Sequence, residues 1–293
     1  MKLLTAAAAF GLVRLLAATP SPPMVEDPAR DAELVEAGVA TVEEDAPTTA
    51  DLASIAQEGL AGVDAAELFV EANRWYDAGE YGKAVVAYST LIARGVAGPA
   101  VHYNLGNALL RDGRLGAAIA AYRRAKVLSP RDADLDANLR FARASARDAL
   151  EPPAPGAVRR TLFFWHYSLS ASETLRLAVL ANLVLFAALS LRLSRRGSEP
   201  LRWVAVIAGV VLLALVGSLV CRWALPLRVA VILPAEVEAF SGTGADTVVR
   251  FRLHAGTEVR AVETSGDWVR IALPNGEQGW VGSDQVELIT ALR

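Results

Sequence analysis

Two adjacent segments of equal length decide the fold. Residues 65–98 read AAELFVEANRWYDAGEYGKAVVAYSTLIARGVAG, and residues 99–132 read PAVHYNLGNALLRDGRLGAAIAAYRRAKVLSPRD. When the first segment is written above the second, residues of the same kind coincide: Ala72 with Gly106, Asn73 with Asn107, Gly79 with Gly113, Tyr81 with Leu115, Ala84 with Ala118 and Tyr88 with Tyr122. A fixed period in this range predicts stacked units that bury a continuous core.

Each matching position has a physical role in a pair of helices. Small residues allow the two helices of a hairpin to cross closely, aromatic residues fill the space between hairpins, and Gly79 and Gly113 permit the turns. This pattern resembles the tetratricopeptide repeat, although His102 stands where that family usually has Trp and Glu71 where it usually has Leu. We therefore predict two repeats, 65–98 and 99–132; the alternative is helical amphipathicity without a repeat.

A further helix is predicted after the second repeat, over Asp132–Leu150. Asp residues at its start and Arg residues later in it agree with the helix dipole. Leu135, Leu139 and Ala142 form its apolar stripe. Because stacked repeats need covered ends, we interpret this segment as a capping helix that completes an all-α domain over 65–150.

The resemblance to the tetratricopeptide repeat implies a concave groove, which in this fold usually captures a peptide or protein. Six residues should face that groove by their matching positions: Phe69, Asn73, Tyr76, Tyr103, Asn104 and Asn107. Asparagine amides can hydrogen-bond an extended backbone, and tyrosine rings offer rigid contact area. The alternative, that these residues pack or face solvent, stays open for each of them. The matching positions lack the Lys or Arg with which some members of the family grip a C-terminal carboxylate.

The N-terminal residues read as a targeting segment and a spacer. Residues 1–18 have a basic start and a short apolar stretch, which predicts a signal peptide or a retained anchor; a plain disordered leader is the alternative. Residues 19–60 contain ten Asp and Glu residues against one Arg, Arg30, which predicts an acidic disordered linker. Its alternatives are a solvated spacer and an acidic interaction arm.

Two apolar segments predict a transmembrane hairpin. Residues 203–221 contain no charged residue over 19 positions, enough to cross the hydrocarbon core, and Trp203 and Trp223 bracket them. A shorter run, Leu177–Leu191, becomes long enough if the helix begins near Ala171. We predict helices over 171–191 and 203–222, with the amide of Asn182 bonded across the pair or to the backbone. Two buried helices of a soluble protein are the alternative.

The loop between the predicted spans, residues 192–202, sets their orientation. Four Arg residues lie in this short loop, and the positive-inside rule assigns it to the cytoplasm. Both flanking regions are then extracytoplasmic, in agreement with an N-terminal signal. We therefore expect a bacterial cytoplasmic (inner) membrane protein that holds two separate recognition modules on the outer side.

The C-terminal region, 228–290, changes to a period of two. Runs such as VVRFRL, EVRAV and WVRIAL, broken by glycine turns, predict a small all-β barrel of about five strands. The layout resembles the bacterial SH3-like family, and the resemblance depends on Gly256, Trp268, Gly276, Gly279 and Trp280. Another type of five-stranded barrel is the alternative.

The composition of the 293-residue chain excludes several classes of function. A net charge of −3 argues against nucleic-acid binding, and one Cys with three scattered His argues against a metal centre. The 53% hydrophobic and 21% charged residues favour membrane spans. We expect no cofactor and no enzymatic activity, and interpret Asp267 and Glu277, the carboxylates near the barrel turns, as turn and surface residues.

The order of these parts, with NLRFAR at 138–143 and FRLHAGT at 251–257, resembles the BatE-type proteins of bacterial aerotolerance operons. That resemblance implies partners among membrane proteins with von Willebrand A domains and a MoxR-type ATPase, and a role in envelope or oxidative-stress tolerance. We therefore expect a non-enzymatic scaffold that binds protein partners. The alternative is a module that binds cell-wall peptidoglycan through the SH3-like domain.

Overall fold

The computed structural model describes residues 63–148, 150, 156–195, 198–224, 228–244 and 247–289. The predicted signal segment 1–18 and the acidic linker 19–60 lie outside these residues. The described helices are α1 Ala65–Asp77, α2 Tyr81–Ala93, α3 Pro99–Arg111, α4 Leu115–Leu128, α5 Ala133–Ala144, α6 Ala157–Leu162, α7 Phe164–Ser168, α8 Ala171–Ser194 and α9 Glu199–Ala224. The described strands are β1 Val229–Ile232, β2 Glu236–Phe240, β3 Val249–His254, β4 Glu258–Ser265, β5 Trp268–Ala272, β6 Gln278–Gly282 and β7 Val286–Ile289.

Helices α1 to α4 form two helical hairpins in the predicted register. Asp64 caps α1 by accepting a hydrogen bond from the backbone nitrogen of Ala66 at 3.1 Å. Gly79 and Gly113, which occupy the same position in the two repeats, both have a φ of 78°, a left-handed conformation that favours glycine and turns the chain after α1 and α3. The predicted helical repeats are confirmed.

Helix α5 follows the second hairpin and is shorter than the sequence predicts. It begins after the cap Asp132, whose side chain accepts a hydrogen bond from the backbone nitrogen of Leu135 at 3.0 Å. It ends at Ala144 rather than near Leu150. Four residues further on, Asp148 is hydrogen-bonded to residues of the sheet region, as described below.

The seven strands form one antiparallel sheet in the order β3-β2-β6-β5-β4-β1-β7. The sheet is open, with β3 and β7 at its edges, and has more strands than the five or so that the sequence predicts. Strand β1 lies next to the edge strand β7 and pairs on both sides: Ala230 lies opposite Val259 of β4 and opposite Leu288 of β7. All four residues of β1 are buried, so it lacks the alternation on which the strand prediction depended.

The repeats, α5 and the sheet belong to one compact unit. Val229 and Val231 of β1 pack into the core of the repeats, whereas Ala230 and Ile232 pack into the core of the sheet. Gly116 of α4 marks a close approach of the two parts. This differs from the expected pair of separate modules, because one strand contributes its two faces to two cores.

Helices α8 and α9 belong to a second compact unit. They have 24 and 26 residues and are long and apolar enough to cross a membrane. Their contact uses mostly small buried side chains: Thr174, Ala178, Ala181 and Ala188 of α8, and Ala205, Ala208, Leu215 and Ser218 of α9. Small residues at such contacts allow two helices to approach closely.

Two polar features fix the ends of this helix pair. Ser170 and Glu173 form a capping box at the start of α8. Near the end of α9, Arg222 donates hydrogen bonds to the backbone oxygens of His166 and Leu169, the latter at 2.7 Å. These bonds hold the short aromatic helix α7 against the last turns of α9.

The prediction for Asn182 is wrong. Its side chain lies on the exposed face of α8 and not between the helices. In the ranges that the structure describes, no hydrogen bond to this amide is formed across the pair or to the backbone. The buried face of α8 passes through Ala178 and Ala181 instead, where a smaller side chain permits closer packing.

Substituting Gly116 by Ala should destabilise the joint between the repeats and the sheet. A Cβ at this position would lie 2.3 Å from the carbonyl oxygen of Ile232, a backbone atom that cannot move aside easily. We expect a loss of about 1–3 kcal/mol in the free energy of unfolding, measured by chemical denaturation of the whole chain in detergent.

The matched control is Gly82→Ala, at the corresponding position of the first repeat, in α2. A Cβ at Gly82 would meet its nearest described neighbour, Oδ1 of Asp112, at 3.9 Å, an ordinary contact. This variant should keep or raise stability, because Ala favours helix over Gly. Equal effects of the two substitutions would contradict the close approach at Gly116.

Candidate functional site

The six residues predicted to face a groove lie on α1 and α3, close to one another. Phe69, Tyr103, Asn104 and Asn107 are buried, and Asn73 and Tyr76 are half-buried. A polar and aromatic network links successive hairpins and includes Phe69, Asn73, Tyr103, Asn104 and Asn107. We call these five residues, with Tyr88, Tyr122 and Asn138, the asparagine–tyrosine network. Tyr76 lies next to it and acts electrostatically on Tyr103.

The first copy of the network is centred on Asn73. Its side-chain oxygen accepts one hydrogen bond from the hydroxyl of Tyr88 at 2.5 Å and another from the amide of Asn104 at 3.0 Å. Tyr88 belongs to the same hairpin as Asn73, and Asn104 belongs to the next one. One amide oxygen therefore joins two hairpins.

The second copy reproduces this geometry at the matching positions of the next repeat. The side-chain oxygen of Asn107 accepts hydrogen bonds from the hydroxyl of Tyr122 at 2.8 Å and from the amide of Asn138 at 2.9 Å. Ring contacts repeat as well: the centroids of Phe69 and Tyr88 lie 6.1 Å apart, and those of Tyr103 and Tyr122 lie 6.2 Å apart. Hydrogen bonds and ring contacts therefore recur with the same spacing along the sequence as the helices do.

Sequence reasoning missed Asn138, although a signal for it exists. Asn138 follows Asn104 by one repeat length, as Asn107 follows Asn73, and it belongs to α5. Its amide also donates a hydrogen bond to the hydroxyl oxygen of Tyr103 at 3.0 Å. The helix interpreted as a cap therefore continues the hydrogen-bonding pattern of the repeats.

Burial keeps the tyrosine hydroxyls of the network protonated. It raises the pKa of Tyr103 to about 12 and that of Tyr122 well above its ordinary value. A protonated hydroxyl is a donor, which agrees with the bond from Tyr122 to Asn107.

Two polar atoms of the network have no hydrogen-bond partner among the described residues. They are Nδ2 of Asn107, a donor, and Oδ1 of Asn138, an acceptor, and both are buried. The two side chains are bonded to each other, so the unused donor and the unused acceptor lie close together. Burying such groups unpaired costs free energy.

The joint between the repeats and the sheet contains a buried ion cluster. The carboxylate of Glu258, at the start of β4, is 3% exposed and pairs with Arg123 of α4 and Arg143 of α5. The Nε of Arg143 lies 2.6 Å from Oε1 of Glu258. Two guanidinium groups on different helices thus hold one carboxylate of the sheet.

A second polar cluster lies beside the first and includes part of the FRLHAGT motif. The carboxylate of Asp148 accepts hydrogen bonds from the backbone nitrogen of His254 at 2.8 Å and from the hydroxyl of Thr257 at 2.5 Å, and its Oδ1 lies 2.7 Å from Nδ1 of His254. Burial alone would raise the pKa of Asp148, but the hydrogen bonds from Thr257 and His254 bring it below the ordinary value.

The tryptophans that carry the SH3-like resemblance lie on the outer face of the sheet. Trp268 and Trp280 are half-buried, whereas Val269 and Val281, their neighbours along the strands, are buried. Phe240 contacts Trp268 edge to face with centroids 5.9 Å apart, and Arg270 lies over the ring of Trp280 at 5.5 Å. We call Phe240, Trp268 and Trp280 the aromatic patch.

Asp267 and Glu277 lie at the surface of the sheet region. Both are exposed, and the amide of Asn275 donates to Glu277 at 3.0 Å within a turn. In the described residues no group of three or more His, Cys, Asp and Glu side chains is placed to hold a metal ion.

Removing the charge of Glu258 should destabilise the protein strongly. Glu258→Gln removes the buried anion that Arg123 and Arg143 share, and breaking a fully buried pair costs about 3–5 kcal/mol. Because the two arginine side chains are 19% and 30% exposed, the loss should lie near the lower end of that range. Chemical denaturation of the whole chain in detergent measures the loss. The control is Glu287→Gln, whose partner Arg124 is 42% exposed, and the loss there should be below about 1 kcal/mol. Equal losses would contradict the role of Glu258.

The buried His102 should make the protein less stable in mild acid. Burial, assisted by the charge of Arg124, lowers the pKa of His102 from 6.5 to about 4. Between these pH values the unfolded chain binds a proton that the folded chain excludes. The free energy of unfolding therefore decreases as the pH is lowered from 6.5 to 4, by up to about 3 kcal/mol. His102→Leu should flatten this fall, measured as thermal midpoints between pH 7 and pH 4.

Asp148→Asn is the control for the pH range between 6.5 and 4. Because the pKa of Asp148 is lowered from 3.8 in the folded chain, its stabilising contribution is lost only as the pH falls below about 4. This variant should leave the fall between pH 6.5 and pH 4 in place. The same fall in His102→Leu as in the unmodified chain would contradict the assignment to His102.

Comparison with known proteins agrees with the repeats. No curated protein and no solved structure matches the chain. A family model described as Tetratricopeptide repeat matches residues 69–133, from the first turns of α1 to the start of α5. This match confirms, over those residues, the tetratricopeptide repeats predicted from the period of the sequence.

Proposed function

We propose that this chain is a non-enzymatic, membrane-anchored adaptor whose repeats bind a protein partner. Tetratricopeptide repeats generally serve protein–protein interaction, and the match over residues 69–133 supports that role. The observation that carries the proposal is that Tyr76, next to the buried asparagine–tyrosine network, is itself only half-buried and is therefore accessible to a partner.

Tyr76, on α1, is the accessible residue of the proposed partner site. It is half-buried, and its ring contacts Tyr81 edge to face with centroids 5.6 Å apart. A tyrosine held in this way offers contact area with little loss of conformational freedom on binding. The partner is therefore proposed to contact Tyr76.

Anchoring in the membrane is supported by α8 and α9 and by chain connectivity. The chain leaves the unit of repeats and sheet after α5 and rejoins it at β1. Since the chain segments before and after the helix pair belong to one compact unit, those segments lie on the same side of any membrane that the pair crosses. An even number of spans meets that condition, and two candidate spans are present among the described residues.

The orientation follows from charge. Arg192, Arg195, Arg196 and Arg202 lie in or beside the connection between α8 and α9, which the positive-inside rule assigns to the cytoplasm. The unit of repeats and sheet is then periplasmic or otherwise extracytoplasmic, at the inner membrane. No catalysis is assigned to it, because Asp267 and Glu277 are exposed residues of turns.

The resemblance to BatE-type proteins names a class of partner for this adaptor. Membrane proteins with von Willebrand A domains, acting with a MoxR-type ATPase in an aerotolerance complex, are the proposed class. The sheet is proposed to be related to the SH3-like family, on the residues Gly256, Trp268, Gly276, Gly279 and Trp280.

A second candidate function is binding of cell-wall peptidoglycan, favoured by the aromatic patch. Phe240, Trp268 and Trp280 are partly exposed on one face of the sheet, with Arg270 beside them. Flat aromatic surfaces with a nearby cation can hold a sugar ring or a short peptide stem.

Tyr76→Arg tests the proposed partner site. The added charge and bulk should reduce recovery of a cross-linked membrane-protein partner by at least about tenfold, measured by quantitative co-purification in mild detergent. Val70→Arg is the control, because Val70 is an exposed apolar residue of the same helix on another face. Equal recovery with the two variants would contradict the site. If Trp280→Ala alone abolished sedimentation with purified cell wall while Tyr76→Arg had no effect, the second function would replace the first.

A further inference from the structure

Helix α8 carries two seams, and only one of them is covered in the described structure. Thr174, Ala178, Ala181 and Ala188 form the seam that packs on α9. A second set of residues, spaced alternately by four and three positions, forms an exposed seam on the same helix: Leu175, Val179, Asn182, Phe186, Leu189 and Leu193. This spacing is the heptad pattern with which one helix packs along another.

Asn182 is the polar member of the exposed seam and lies at its centre. Eleven residues of α8 precede it and twelve follow it. If α8 spans a membrane, as the proposed function requires, this amide lies near the middle of the hydrocarbon. A polar group facing lipid at that depth is unfavourable, and polar residues in spans almost always face protein instead.

We infer that a second copy of this chain covers the exposed seam, with the two Asn182 amides hydrogen-bonded to each other across a two-fold axis. An amide has a donor and an acceptor, so it is its own complement when a two-fold axis places it opposite itself. A second copy therefore satisfies the amide without any further polar residue on the seam, whose other members are all apolar.

The position of the exposed seam fits such a dimer. At 100° per residue, the centres of the two seams lie about 100° apart around α8. Each α8 can thus contact its own α9 and the α8 of the second copy at once, as helices do in four-helix bundles. A single Asn at a seam position fixes the register of the two helices.

Cysteine cross-linking in membranes tests this inference on the whole chain. In a Cys221→Ser background, which removes the single native cysteine, one Cys is introduced at Phe186 or at Leu189 of the seam. The controls are Val184→Cys and Leu191→Cys, on the opposite face of α8 and also exposed. We expect oxidation to give a covalent dimer of the chain for the two seam positions and not for the controls.

Asn182→Leu tests whether the amide, and not the apolar side chains of the seam alone, stabilises the dimer. In the Phe186→Cys variant this second change should lower the cross-linked fraction about three- to thirtyfold, the range expected for one hydrogen bond between spanning helices. Adding Val184→Asn, which returns an amide to the opposite face, should not restore it. Cross-links that are equal on the two faces, or unchanged by Asn182→Leu, would overturn the inference.

Two further outcomes distinguish this inference from the proposed function. A chain that stays in the membrane pellet after an alkaline wash but cross-links at Phe186 only to a different protein keeps the adaptor proposal and overturns the dimer. A chain released by the wash overturns membrane anchoring and the dimer together. A seam-specific dimer in the pellet supports both.

Discussion

The carboxylate of Glu258, held between Arg123 and Arg143, is the interaction on which the architecture depends. It joins the start of β4 to two helices of the repeat region and is too buried for water to replace either partner. Asp148, bonded to His254 and Thr257, adds a second tie beside it. With these contacts in place, the chain segments before α6 and after α9 belong to one body, and any membrane crossing between them has to return to the side from which it started.

The asparagine–tyrosine network shows how a repeated sequence fixes the packing of successive helical units. The side-chain oxygen of Asn73 joins the first hairpin to the second, and that of Asn107 joins the second hairpin to α5. Asn138 of α5 occupies the place that Asn104 has in the second hairpin. One repeated hydrogen-bond pattern therefore holds the two hairpins and α5 in one stack.

The features that the sequence predicts are those encoded locally. The repeat follows from matching residues in two adjacent segments, the two long apolar helices from runs with few or no charged residues, and most strands from alternation. The joint could not be predicted, because Glu258 is 135 residues from Arg123 and 115 from Arg143, and nothing near any of them indicates the pairing. Strand β1 could not be predicted from alternation either. Because it is buried on both faces, its sequence is continuously apolar and has no period of two. The role of Asn138, by contrast, could have been predicted, because this residue follows Asn104 by one repeat length.

Strand β1 also imposes an order of events during synthesis. Val229 and Val231 complete the apolar interior of the helical region, yet they are made long after Leu115 and Ile119 of α4. Until the ribosome has released the last strands, the surface of α4 that they cover is open to water and to other chains. Long-range closure of this kind is slow and exposes the nascent chain to aggregation, so a cell that makes this protein has reason to shield α4 in the interval.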